Sequence, residues 1–125
     1  MSSSEQLIIN QFFAAMQTGA TAEIEMMSLF HDEAVYIEPF SGQVRLHTGK
    51  AAIRKCMLNS WKHPLPEMTI QIDEMLIEGN DVIVRWTCLS PALPRGKGSG
   101  ENRFTLRDGL IIRLETRINL HAQGE

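Results

Sequence analysis

An acid stands inside an apolar, strand-like run at Tyr36-Ile37-Glu38-Pro39-Phe40. A carboxylate so placed either faces solvent, free or paired with Arg45, or sits in a low-dielectric pocket. In a pocket, loss of water would disfavour the charge, raise the pKa above that of a free glutamate and leave a proton acceptor usable near neutral pH. Strand alternation puts Tyr36 on the same face as Glu38, where its hydroxyl is either a second hydrogen-bond donor to the site or the wet tip of a packing residue.

The other chemistry-bearing residues are sparse. Cys56 and Cys88 are the only two cysteines, too few for a disulfide framework or a cysteine-rich zinc site. The histidines His31, His47, His63 and His121 show no metal-ligand spacing, so no metal is expected. His47 precedes the third expected helix, at the rim of a pocket or as a loop support. Arg95-Gly96-Lys97-Gly98-Ser99-Gly100 superficially looks like a phosphate loop, but Pro91 replaces its first glycine and Gly98 its Ser or Thr. That segment reads instead as a mobile lid or hairpin tip within a connection from Ser90 to Gly100. No organic cofactor is implied.

The elements that must position Glu38 follow from pattern. Ser2 to Gln17 reads as a helix with Ile8, Ile9, Phe12, Phe13 and Met16 on one face, ended by Gly19. Thr21 is placed to cap a second short helix whose Ile24, Met27 and Phe30 are spaced for burial, and His31-Asp32-Glu33 is a polar break. The strand bearing Glu38 follows, then a loop or short strand from Gly42 to Gly49. A third helix runs from Lys50 to Lys62, closed by Pro64 and Pro66. Strands are expected over Met68–Ile77, Val82–Leu89, Asn102–Leu106 and Leu110–Leu120, the last pair joined by an Asp-Gly hairpin turn. Helices first and antiparallel strands after give an α+β domain spanning residues 1–125.

Phase assigns the faces. Val82, Val84, Trp86 and Cys88 point inward, as do Leu110, Ile112, Leu114, Thr116 and Ile118. Ile70 and Ile72 are out of phase with Met75 and Ile77, and a β-bulge at Asp73-Glu74 would restore both pairs to one face and bend the sheet. With 12 basic against 15 acidic residues, a net charge of −3 and no basic block, the chain lacks a nucleic-acid footprint. No run is long and apolar enough for a membrane span and no signal-peptide pattern opens the chain, so a cytoplasmic protein is expected.

This layout resembles the nuclear transport factor 2-like superfamily, which includes ketosteroid isomerase and the SnoaL-like polyketide cyclases. The resemblance covers roughly Glu5 to Leu120. It rests on the order of Phe30-His31-Asp32-Glu33-Ala34-Val35-Tyr36-Ile37-Glu38-Pro39-Phe40, His47-Thr48-Gly49-Lys50-Ala51-Ala52-Ile53-Arg54, Glu78-Gly79-Asn80-Asp81-Val82 and Arg107-Asp108-Gly109-Leu110-Ile111. It implies a cone-shaped roll of three helices on a strongly bent, mostly antiparallel sheet. By resemblance to ketosteroid isomerase, Glu38 matches the general base and Asn102 the acid that donates to the developing oxyanion, while Phe12 replaces the oxyanion-binding tyrosine.

The resulting expectation is a cofactor-free isomerase or cyclase that moves a proton next to a carbonyl. Glu38 would be the base, Asn102 and Tyr36 the donors, and Phe12, Met16, Phe40, Trp61, Trp86 and Ile118 the apolar walls around a small apolar substrate. The rival is a non-catalytic ligand-binding or dimerisation domain of the same fold, which Phe12 favours. Epoxide hydrolysis, known in this fold, lacks its aspartate in Arg85-Trp86-Thr87. A homodimer is expected through the outer sheet face, carrying Ile83, Thr87, Leu89, Ile111 and Met75 beside Arg85, Arg113 and Arg117.

Overall fold

The computed structural model describes residues 3–118. Ser2, Leu120 and His121, which bear on the expected helix start, strand end and histidine spacing, lie outside the described residues.

Helix α1 (Ser3–Thr18) buries Ile9, Phe12 and Phe13 of the stripe its spacing predicts, with Ala15 added and Ile8 and Met16 only half-buried against the core. Gly19 ends it at φ +88°, a conformation natural to glycine, with its N–H on the Ala15 carbonyl at 2.9 Å. Thr21 is not a cap as expected: a 3₁₀ turn, Ala20–Ala22, leads into α2 (Glu23–Ser28) without any side-chain cap. The tight turn rotates this six-residue helix so that Met26 and Met27 meet the core, and Ile24, expected inside, is 81 % exposed.

The strands are β1 (Phe30–Glu38), β2 (Arg45–Thr48), β3 (Thr69–Glu78), β4 (Asp81–Leu89), β5 (Lys97–Arg107) and β6 (Leu110–Ile118), with α3 (Lys50–Ser60) between β2 and β3. They form one sheet in the order β2-β1-β6-β5-β4-β3, antiparallel except for β1 beside β6. The three helices pack on this curled, open sheet, an α+β roll. His31-Asp32-Glu33 proves to be part of β1 rather than a break; the register to β6 is irregular between Phe30 and Val35, which lets a polar stretch stay on the strand.

The register of β3 on β4 skips between Ile72 and Glu74, the bulge that the phase of Ile70 and Ile72 predicts. Ile72 therefore faces Trp86 and Met75 faces Val84, on one side of the sheet. A second irregularity pairs Thr105 with Arg113 but Leu106 with Ile111. It reverses the expected phase at the start of β6: Ile111 is fully buried, while Leu110 and Ile112 are only half-buried. Ile111 belongs to the core and Met75 packs against it, so neither lies on the outer face assigned to them.

Of the two readings of the glycine-rich stretch, lid or hairpin tip, the second fits: β4 and β5 pair as a hairpin, with Pro94–Gly96 in its connection and Lys97 to Gly100 already in β5. A Cβ on Gly100 would come within 2.4 Å of the Trp86 ring and 2.6 Å of the Arg117 carbonyl. Glycine there serves close packing of an indole on a strand, not mobility.

Phe12 sits at the centre of the core, edge-on to Phe13, Phe104 and Phe30 at centroid distances of 5.2, 5.1 and 6.4 Å. Such pairs add about 0.5–1.5 kcal/mol each beyond their buried area. The outer sheet face is different in kind. Arg85 bridges Glu74 and Glu101, Arg103 bridges Glu78 and Asp81, and Arg113 and Arg117 share Glu115.

Candidate functional site

A short connection joins β1 to β2, bent at Gly42, whose φ is +92°. The hairpin sets Glu38 opposite Arg45 and Tyr36 opposite His47, and residues directly opposite share a face. That face is the inner one, since Ala34, Tyr36 and Glu38 are all buried. Helix α3 packs against it and contributes Cys56 from the turn that also buries Ile53 and Met57.

Four groups converge on the Glu38 carboxylate, which is 1 % exposed. Its Oε1 accepts the Phe40 backbone N–H at 2.8 Å. Its Oε2 meets Nε2 of His47 at 2.8 Å, Nε and Nη2 of Arg45 at 3.0 Å each, and the Cys56 thiol at 3.7 Å. Burial pushes the carboxyl upward, but the bonds from His47, the Phe40 N–H and Arg45 outweigh it and hold the pKa below the usual glutamate value. The expected rise is therefore overturned: desolvation is present, and three donors reverse its effect.

The neighbours respond in the opposite sense. Burial, followed by the charge of Glu38, pushes the Cys56 thiol up to about 11, with Arg45 partly opposing. Tyr36 is raised by burial first and then by Cys56 and Glu38, against a hydrogen bond with Thr116, and so remains a neutral hydroxyl. Its ring lies 5.9 Å from that of His47.

Asn102 is buried on β5, opposite Thr116. The β1–β6 register pairs Ile37 with Glu115, so one step on brings Glu38 alongside Thr116. Glu38, Thr116 and Asn102 thus form one row across three strands. The Trp86 indole donates to Asn102 Oδ1 at 3.1 Å. Because an indole N–H only donates, this fixes the amide orientation and leaves its NH2 as the donor end.

The expected apolar walls do not form one surface. Phe12 is core, Met16 and Trp61 pack partly buried against that core, and Phe40 is 54 % exposed. Trp86 and Ile118 line a groove of about 650 Å³ whose other walls include Glu74, Arg85, Glu101 and Arg117; neither Glu38 nor Asn102 lines it.

Residues 9–114 match the family model of the SnoaL-like domain. The chain belongs to the SnoaL-like family. It is thereby a member of the nuclear transport factor 2-like superfamily. A protein from Sinorhizobium meliloti, provisionally assigned as a polyketide cyclase, superposes with a TM-score of 0.73 at 23 % identity, over 93 % of this chain and 100 % of its own. TerC, co-crystallised with polyporic acid, gives 0.75 at 22 % identity over 96 % and 95 %. A provisionally assigned ketosteroid isomerase from Kribbella flavida gives 0.74 at 15 % identity over 94 % and 79 %. At these identities the likeness is one of fold. No protein of curated function matches the chain.

In this SnoaL-like domain the site gains residues that the sequence reading left at the margin. His47 stood only as a rim residue or loop support, Arg45 as an alternative partner, and Cys56 had no role. The signal for the first two was the hairpin itself, which sets 45 and 47 against 38 and 36. Cys56 needed the helix docking. Glu38, His47 and Cys56 bring a carboxylate, an imidazole and a thiol within 4.8 Å of one another, a donor set able to hold a metal ion. Among the described residues no helix is long and apolar enough to cross a membrane.

Proposed function

We propose that this SnoaL-like domain is a small-molecule enzyme of the isomerase or cyclase type, transferring a proton next to a carbonyl without an organic cofactor. The observation that carries this reading is the 2.8 Å contact between the enclosed Glu38 carboxylate and Nε2 of His47, whose side chain is 17 % exposed. Glu38 is too enclosed to meet a substrate unaided; the imidazole can reach outward. An ionised carboxylate only accepts hydrogen bonds, so the shared proton rides on Nε2 and the lone pair on Nδ1.

In this scheme Nδ1 of His47 removes the proton α to the carbonyl, and Glu38 stabilises the imidazolium that forms. The Asn102 amide and the Tyr36 hydroxyl are the donors assigned to the enolate oxygen. The imidazolium then returns the proton to another carbon of the conjugated system, or the enolate carbon attacks a second carbonyl and His47 protonates the new alkoxide. The base so assigned is His47, with Glu38 as its anionic partner, a change from the expectation that Glu38 acts directly. That TerC, a protein of the same fold, was co-crystallised with polyporic acid supports a small organic molecule as ligand.

The test is deuterium exchange into apolar ketones and β-dicarbonyls, followed by NMR. His47→Ala and Glu38→Gln should each slow exchange by about two to four orders of magnitude, with substrate affinity little changed. Binding of such a compound with exchange indifferent to both residues would leave the rival reading, a non-catalytic ligand-binding or dimerisation domain. Its supporting observation is Phe12, which has no hydroxyl and is packed into the core.

A homodimer through the outer sheet face is part of the same proposal, now resting on the half-buried Thr87 and Leu89 beside Arg85, Arg113 and Arg117, because Ile83, expected to be exposed there, is only 6 % exposed. Light scattering that finds a monomer throughout the micromolar range would end it.

A further inference from the structure

We propose that Glu38, His47 and Cys56 also form a binding site for a borderline-soft divalent cation of the zinc type. The three donors come from β1, β2 and α3 and differ chemically, unlike a surface cluster of acids. Carboxylate, imidazole nitrogen and thiolate are the three donor classes zinc accepts, and three protein ligands with one open position describe its catalytic-type sites. A tetrahedral ion with bonds of 2.0–2.3 Å holds its donors about 3.3–3.6 Å apart. Here Glu38 Oε2 lies 2.8 Å from His47 Nε2 and 3.7 Å from Cys56 Sγ, and all three donors lie within 4.8 Å of one another, so side-chain rotations would have to close the triangle.

Binding forms three metal–donor bonds and releases one proton. The Cys56 thiol gives its proton to solvent, and the His47 proton moves from Nε2 to Nδ1, freeing Nε2 for the ion. The carboxylate and thiolate together neutralise the dication. Arg45 is the competitor, since its guanidinium occupies the same Oε2; its side chain is 47 % exposed and can turn into solvent. The ion takes the Glu38 and His47 atoms that proton transfer uses, so the loaded protein is blocked for that chemistry. The inference itself rests on donor geometry and stands whether or not the domain is an enzyme.

The experiment titrates cobalt(II) alone into the reduced full-length chain, with no substrate present, and reads ligand-field absorption and the thiolate-to-cobalt charge-transfer band. The expected result is one tetrahedral site per chain, with a charge-transfer band that zinc(II) displaces. Cys56→Ser should abolish the band and weaken binding at least about a hundredfold, a direct ligand costing no less than the 10–100-fold of an outer-shell partner. Cys88→Ser should change nothing. Arg45→Gln should tighten binding by about tenfold, because a competing cation is gone. A wild-type chain with no charge-transfer band at millimolar cobalt, or a band that survives Cys56→Ser, overturns the proposal. Should Cys56→Ser fail to fold by circular dichroism, Arg45→Gln decides alone: affinity equal to or weaker than wild type overturns it.

Discussion

Two ionic systems lie on opposite faces of one sheet and are built from the same residue types. On the outer face Arg85 reaches Glu74 at 2.6 Å and Glu101 at 3.4 Å, and Arg103 holds Glu78 and Asp81 at 2.9 Å each. On the inner face one carboxylate, Glu38, takes His47 and the Phe40 N–H at 2.8 Å each and Arg45 at 3.0 Å, within the range of the outer pairs. Distance therefore does not separate the two systems; water does. Arg85 is 55 % exposed and Arg103 30 %, so solvent screens their pairs and would satisfy either partner alone. Glu38 is 1 % exposed, and its donors have been arranged around it in place of water. The outer system is a pattern of charge, and the inner one is a commitment to a geometry.

The sharpest way to break this contrast is to remove the enclosed carboxylate. Glu38→Ala should destabilise the fold by about 3 kcal/mol at neutral pH, near the low end for breaking a buried pair because Arg45 can still reach water. Urea unfolding with an unchanged m-value measures it, and a loss under half that size would merge the two systems. Gly100→Ala probes the inner face without touching charge. With a backbone carbonyl and an indole both too close for a Cβ, overpacking should cost about 1–3 kcal/mol.

Acid sharpens the comparison. The folded pKa of Glu38 is depressed, so its ionised form stabilises the native state fully above the unfolded value of about 4.5. That contribution fades as pH falls through the lower folded value. Glu38→Gln should therefore cost about 1–2 kcal/mol at neutral pH, and the cost should vanish in strong acid. A Glu38→Gln protein as stable as wild type at neutral pH would restore the raised-pKa expectation. Asp81 and Glu115 are also depressed, chiefly through Thr105 and Arg103 for the first and, against burial, through Arg117 and Arg113 for the second. Their neutral variants should follow the same sign with a smaller amplitude. Smallest of all, Glu74→Gln should change stability by no more than about 0.5 kcal/mol, and added salt should erase even that.

What the sequence made legible follows what local pattern can encode. Period and turn chemistry specified the α+β class, the three helices, the hairpin turn at Asp108-Gly109 and the bulge at Asp73, because each shows in residues that are neighbours in the chain; the roll was implied only by the family resemblance. Glu38 was legible as a polar residue in an apolar run. Its protonation was not, since the pKa depends on which donors arrive from β2 and how completely they replace water. The row Glu38, Thr116, Asn102 needed the parallel pairing of β1 with β6, which joins distant segments and leaves no local trace. The Ser99-Gly100 region misled for a related reason: glycine that permits close packing and glycine that permits motion look alike until the Trp86 indole is in place.

The bulge at Asp73 has a consequence for how this protein avoids pairing with its own copies edge to edge. Strand β3 is a long edge strand, and Ile72, Leu76 and Ile77 are 37, 40 and 51 % exposed, the profile of a template for edge-to-edge aggregation. Near its start the Ile70 N–H is occupied by the Gln17 side chain of α1 at 2.8 Å, and just beyond it the extra residue breaks the regular spacing of outward-facing donors. An incoming strand would find no continuous ladder. Deleting Asp73 would straighten the edge as well as the sheet, and the variant should form thioflavin-positive aggregates under agitation that leaves the parent clear.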